Sequence, residues 1–119
     1  MSHIVTVATK LRDPTAVAAA CQRLKLPAPV QGKAQLFSGE AVGLIVQLPG
    51  WQYPTVIDTA TGEVRYDNYG GAWGEQKELD RFLQAYAVEK CRLEARAKGL
   101  AISETQLQDG SIKLSIQEG

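Results

Sequence analysis

Alternating apolar and polar residues mark several short segments of the chain as strands. The clearest is residues 41–48, in which one face carries Val42, Leu44, Val46 and Leu48. Further strand patterns cover 3–9, 31–37, 55–58, 63–67, 101–107 and 111–117. Short polar or glycine-containing turns join these segments in pairs at 38–40, 59–62 and 109–110. The pattern therefore predicts three hairpins.

Two other segments repeat their apolar residues every three to four positions, which is typical of amphipathic helices. The first begins at Asp13-Pro14, because the carboxylate can accept the first free amides and proline suits the first helical position. Its apolar stripe consists of Val17, Ala20, Cys21 and Leu24. The second helix is predicted over 74–98, with acidic residues in its first turns and basic residues in its last.

These segments follow one another in the order β-α-β-β-β-β-α-β-β. Hairpins make neighbouring strands antiparallel, so the order predicts an α+β fold: a mainly antiparallel sheet with the two helices packed on one face. No repeat, linker or low-complexity stretch divides the sequence. We therefore expect residues 1–119 to form a single domain.

The charge is balanced, with thirteen basic and thirteen acidic residues, and neither half of the chain is a basic arm. Binding to nucleic acid or to an anionic membrane draws on clustered positive charge, so neither partner is expected. The longest apolar runs, 16–21 and 41–46, are too short to cross a bilayer. Cys21 and Cys91 lie in the predicted helices as small apolar residues, which favours a reducing, cytoplasmic location.

Residues able to perform catalysis or to hold a metal are sparse. His3 is the one histidine and has no nucleophile motif nearby, and Asp58 and Asp67 are ordinary acidic residues near strand ends. The glycines of 70–74 precede a helix but lack the Lys-Ser/Thr ending of a phosphate-binding loop. The sequence therefore predicts no catalytic residue, no cofactor and no metal site.

Aromatic residues are concentrated in two stretches near predicted loops, 51–53 and 66–73. These stretches hold five of the eight aromatic residues, including both tryptophans. Tryptophan and tyrosine are enriched at protein interfaces, but they also close the open end of a sheet as a small peripheral core. The possible interaction surface consists of Trp51, Tyr53, Tyr66, Asn68, Tyr69 and Trp73.

Four segments carry a resemblance to a known family: YDNYGGAWG at 66–74, LDRFLQAYA at 79–87, EARAKG at 94–99 and DGSIKL at 109–114. With the opening Met1-Ser2-His3, they resemble a conserved hypothetical family first noticed as the chloroplast open reading frame ycf thirty-five. That family is a domain of unknown function that also occurs in bacteria. The segment 66–73 departs from the plastid-type members and indicates a bacterial branch. The resemblance implies one domain of the cytoplasm or stroma, and it implies no activity, cofactor or site residue.

Two hypotheses of function follow. The first is a non-enzymatic interaction or accessory module that contacts a protein partner, or a second copy of itself, through its Trp/Tyr-rich loops. The second is a small-ligand-binding protein or an uncharacterised enzyme, with a pocket near His3 and Asp67 that also involves Asn68.

Overall fold

The order of elements agrees with the sequence prediction, and the α+β class is confirmed. The computed structural model describes residues 5–7 and 10–118. Its two helices are α1 (Pro14–Arg23) and α2 (Gln76–Ala97). Its strands are β1 (Val5–Val7), β2 (Val30–Gln35), β3 (Glu40–Val46), β4 (Thr55–Asp58), β5 (Glu63–Tyr66), β6 (Leu100–Gln106) and β7 (Ile112–Glu118). The outer parts of the predicted first strand, 3–4 and 8–9, lie outside the described residues.

The strands form two separate antiparallel sheets. The larger sheet has the order β1-β5-β4-β3-β2, and the smaller is the β6-β7 hairpin. In the larger sheet Leu44 pairs with Ile57, and Ile57 pairs with Val64, so these three side chains share one face. The next residues along, Ile45, Val56 and Arg65, share the opposite face.

Both helices pack on the face of Leu44, Ile57 and Val64. The resulting main core combines these strands with the predicted stripe of α1 and with the apolar side of α2. Phe82 of α2 is fully buried in this core. The opposite face of the sheet holds a smaller core, formed by Ala34, Leu36, Ala41 and Val56 with Ile45 and Tyr53 packed against it.

The β6-β7 hairpin is attached to the helices by charged and polar contacts. Glu104 of β6 accepts hydrogen bonds from Arg23 of α1 and, at 2.8 Å, from Arg92 of α2. The Arg23 guanidinium holds the pKa of Glu104 below its usual range, although burial opposes this effect. Gln84 donates a further bond to the carbonyl of Gly110 at the hairpin turn. A lone two-stranded hairpin is only marginally stable in water, so this hairpin depends on its contacts with the helices.

Cys21 and Cys91 are both free thiols. Cys21 is buried between α1 and the sheet, and burial raises the pKa of its thiol. Among the described residues, no helix is long and apolar enough to cross a membrane.

The start of α1 was correctly predicted. Asp13 has an extended backbone, and its Oδ1 accepts hydrogen bonds from the amides of Thr15 and Ala16 at 3.0 and 3.3 Å. Its Oδ2 accepts a bond from Lys90 Nζ of α2 at 3.0 Å. This bond is the main reason why the pKa of Asp13 is lowered, so the carboxylate both caps α1 and joins it to α2.

We expect Asp13→Ala to lower the free energy of unfolding by about 1–2 kcal/mol at neutral pH, because two amides lose their acceptor. The lowered pKa means that the charged form stabilises the fold above about pH 4, and that this contribution is lost as the pH falls through the folded-state value. Urea denaturation at pH 7 and at pH 3 measures both effects. Asp13→Asn is the matched control, since it keeps a capping oxygen and removes the charge. Equal urea midpoints for Asp13→Ala and the natural chain would contradict the assignment.

Candidate interaction surface

Three of the six residues predicted to form an interaction surface lie in the interior. Trp51 is 5% exposed, Tyr66 is 6% exposed and Asn68 is 6% exposed. The prediction of an exposed role is therefore corrected for these three residues. Tyr53 and Trp73 are partly buried, and Tyr69 is exposed.

Trp51 and Tyr66 belong to the main core. Their rings meet edge to face with centroids 5.6 Å apart, and Trp51 Nε1 donates a hydrogen bond to the carbonyl of Glu75 at 3.1 Å. Burial is the main cause of the raised pKa of Tyr66, and the nearby Asp80 adds to it. The backbone of Gly74 lies so close to the Trp51 ring that a Cβ at this position would be 2.6 Å from Trp51 Cγ. Trp51 consequently anchors the loop before α2 to the core.

Asn68 is the hydrogen-bonding centre of the loop between β5 and α2. Its side-chain amide donates to the carbonyl of Gly74 at 3.2 Å. Its backbone carbonyl accepts hydrogen bonds from the backbone amides of Gly71 and Trp73 at 3.0 and 2.9 Å. A further bond, from the Gln52 amide to the Trp73 carbonyl at 2.8 Å, joins this loop to the one after β3. Asn68 therefore positions the neighbouring aromatic residues from beneath the surface.

Four aromatic rings meet at this place: Phe37, Tyr53, Tyr69 and Trp73, which we call the aromatic cluster. Trp73 is at its centre, with ring centroids 5.0 Å from Phe37, 5.5 Å from Tyr53 and 4.8 Å from Tyr69. Phe37 remains 55% exposed and Tyr69 47% exposed despite these contacts. The cluster brings together three segments that are far apart in the sequence.

Phe37 was missed by the sequence analysis, which treated it as the end of a strand. β2 ends at Gln35, so Phe37 belongs to the turn that leads to β3. Its position next to the Ser38-Gly39 turn is only a weak indication that it belongs to a loop. No regular spacing in the sequence links it to Tyr53 or Trp73.

Asp67 is almost completely buried, with 1% of its surface exposed. Ser38 Oγ lies 3.5 Å from Asp67 Oδ2, the long limit for a hydrogen bond. The other oxygen, Oδ1, has no hydrogen-bond donor within the part of the chain that the structure describes. A buried carboxylate with an open acceptor is unusual in a folded protein.

The alternative hypothesis places a pocket near His3 and Asp67, and His3 lies outside the described residues. Within residues 5–7 and 10–118, no group of three His, Cys, Asp or Glu side chains is placed to hold a metal ion.

No protein-family model, no curated protein and no solved structure matches this chain. The resemblance to the ycf thirty-five family therefore stays a prediction from the sequence.

Proposed function

We propose that this protein is a non-enzymatic interaction module that binds a partner protein through the aromatic cluster. The observation that carries the proposal is the exposure of Phe37 and Tyr69 around a central tryptophan. Exposed large apolar residues that occur singly are ordinary, but contiguous aromatic surface marks binding sites. Tryptophan and tyrosine are also the residue types that contribute most to binding energy at protein interfaces.

The support beneath the cluster favours binding of this kind. Tyr53 packs against the smaller core, and the Asn68 and Gln52 hydrogen bonds hold the backbone of Trp73. Rings that are already held in place lose little conformational freedom when a partner binds. Tyr53 and Trp73 are therefore preorganised for contact with a partner.

The proposal extends to the setting in which the protein acts. On its sequence resemblance we place the chain in the ycf thirty-five family, and on its free thiols we place it in the reducing cytoplasm. The partner is a different protein. A second copy of this chain is the competing occupant, and the experiment below separates the two.

The test is affinity capture with the tagged chain from a lysate of the source organism, with quantitative mass spectrometry. We expect the double variant Phe37→Ser and Tyr69→Ser to recover at least about tenfold less of the main captured protein, since loss of interface aromatics costs over 1 kcal/mol each. The matched control is Leu107→Ser with Ile116→Ser, which removes two exposed apolar residues from the hairpin region. It should recover the partner at the natural level.

The proposal would be overturned if both double variants recovered the partner at the natural level. It would also be overturned if both recovered it at the same reduced level. Light scattering on the purified chain addresses self-association. A dimer that is abolished by Phe37→Ser with Tyr69→Ser would replace the partner protein with a second copy as the occupant.

A further inference from the structure

The carboxylate of Asp67 contacts the turn that carries Phe37 of the aromatic cluster. Ser38, which contacts Asp67 Oδ2, directly follows Phe37, and Asn68, which holds the Trp73 backbone, directly follows Asp67. The Ser38–Asp67 contact and the Phe37–Trp73 ring contact thus join the same two segments. The open acceptor Oδ1 is enclosed where these segments meet.

An uncompensated carboxylate in this position is costly. Removal of an ionised carboxylate from water destabilises the fold unless a cation or several hydrogen bonds replace the water. None of the ion pairs among the described residues includes Asp67; Arg65, the basic residue nearest to it in the sequence, pairs with Glu63 at 3.3 Å. A carboxylate without a charged partner in the free protein gains a favourable interaction when a cation binds to it.

The rings around Asp67 favour the same kind of ligand. The faces of tryptophan and tyrosine attract ammonium and guanidinium groups, and the attraction grows when water is excluded. Phe37, Tyr69 and Trp73 present such faces on the segments that meet at the Ser38–Asp67 contact. Aromatic walls and a carboxylate together are the chemistry that recognises a cation on an apolar stem.

We propose that the aromatic cluster and Asp67 form a site for one cationic side chain, an arginine or a lysine, that the partner protein inserts. The inference rests on the proposed function and names the chemistry of the partner. The aliphatic stem of the inserted side chain lies against Phe37 and Trp73, and its charged head donates a hydrogen bond to Asp67 Oδ1. Arginine is expected to bind more tightly than lysine, because its planar head stacks on aromatic rings.

Asp67 is buried, so a cation reaches it only if the surrounding structure opens, and we infer that the turn Tyr69–Gly71 is the part that moves. Tyr69, Gly70 and Gly71 have φ values of 48, 61 and 106°, so an aromatic residue occupies the left-handed region at some cost. A Cβ added at Gly70 or Gly71 would meet nothing within 4 Å. The two glycines therefore have room to move, whereas Tyr69 has to give up its ring contact with Trp73 for the turn to open.

The test uses NMR spectra of the full chain and short peptides that have no charge apart from one central residue, which is arginine, lysine, citrulline or norleucine. The indole signal of Trp73 reports binding, and the indole of the buried Trp51 serves as an internal reference. We expect the arginine and lysine peptides to shift the Trp73 signal at roughly millimolar concentrations. Citrulline and norleucine, which match their shapes without the charge, should bind about tenfold more weakly.

Asp67→Asn is the decisive variant, because it keeps the shape of the side chain and removes its charge. We expect it to lose most of the preference for arginine over citrulline and to keep only the part that the aromatic rings supply. A natural chain that binds the two equally, or that responds to neither, would overturn the inference, and so would an Asp67→Asn chain that prefers arginine as strongly as the natural chain does. The peptide comparison on the natural chain needs no variant, so it stands even if Asp67→Asn folds poorly. The proposed function fails separately, through the capture experiment with the Phe37 and Tyr69 variants.

Discussion

Phe82→Ala is expected to lower the free energy of unfolding by about 3–5 kcal/mol, the largest effect that we predict for a single substitution in this chain. Phe82 is fully buried where α2 packs on the sheet, and its ring fills the space between the helices and the strands. Alanine loses the burial of the ring and leaves a cavity that the close-packed neighbours fill only in part. A domain of this size has a total stability of about 5–15 kcal/mol, so the variant is near the limit of folding.

Chemical denaturation followed by circular dichroism measures this effect. Phe82→Leu is the matched control, because it keeps an apolar side chain in the same place and should cost less than about 2 kcal/mol. A denaturation midpoint for Phe82→Ala close to that of Phe82→Leu would show that the ring does not fill the core as described.

Gly74→Ala is expected to destabilise the protein by about 2–3 kcal/mol, a large effect for the addition of one methyl group. The added Cβ would lie 2.6 Å from Cγ of Trp51 and 2.7 Å from its Cε2, well inside contact distance. The Trp51 ring cannot retreat easily, because it is buried and its indole is hydrogen-bonded to Glu75. Either the ring or the loop that carries Trp73 must shift.

Two controls identify the cause of this effect. Gly32→Ala, in β2, places its Cβ at an ordinary 3.6 Å from Ile45 and should change stability by less than about 1 kcal/mol. In a Trp51→Leu background, which removes the ring that Gly74 contacts, Gly74→Ala should cost much less than in the natural chain. Additive effects of the two substitutions would exclude the proposed clash.

The regular elements were predicted from the sequence because each depends on neighbours close in the chain. Asp13-Pro14 supplies its own capping oxygen and the fixed backbone angle of the first helical residue, and α1 begins there. Asp109-Gly110 sits between two alternating segments, and β6 and β7 pair across it. The period of two through Leu44, Val46 and Leu48 likewise indicates which face of β3 the helices cover, although Val42, predicted on the same face, is 56% exposed.

The candidate site was predicted only in part. The two aromatic-rich stretches do lie together, since the Gln52 amide bonds to the Trp73 carbonyl. Their composition could not indicate, however, that Trp51 faces the core while Trp73 faces the surface. Both residues lie in loops, and loops have no helical or strand period from which the buried side can be inferred. Asp67 joins the site through a contact with Ser38, 29 positions away, and Phe37 joins it through Trp73, 36 positions away.

Local order thus follows directly from the amino-acid sequence: the two helices, the hairpins, the α+β class and the apolar faces. These features depend on side-chain periodicity, capping and turn chemistry, which act over a few residues. The separation of the β6-β7 hairpin from the larger sheet, the burial of Trp51 and the enclosure of Asp67 arise only when distant segments pack together. These features depend on tertiary packing, because a loop side chain is buried only if a segment distant in the sequence packs against it. The local sequence pattern does not show which segment that is.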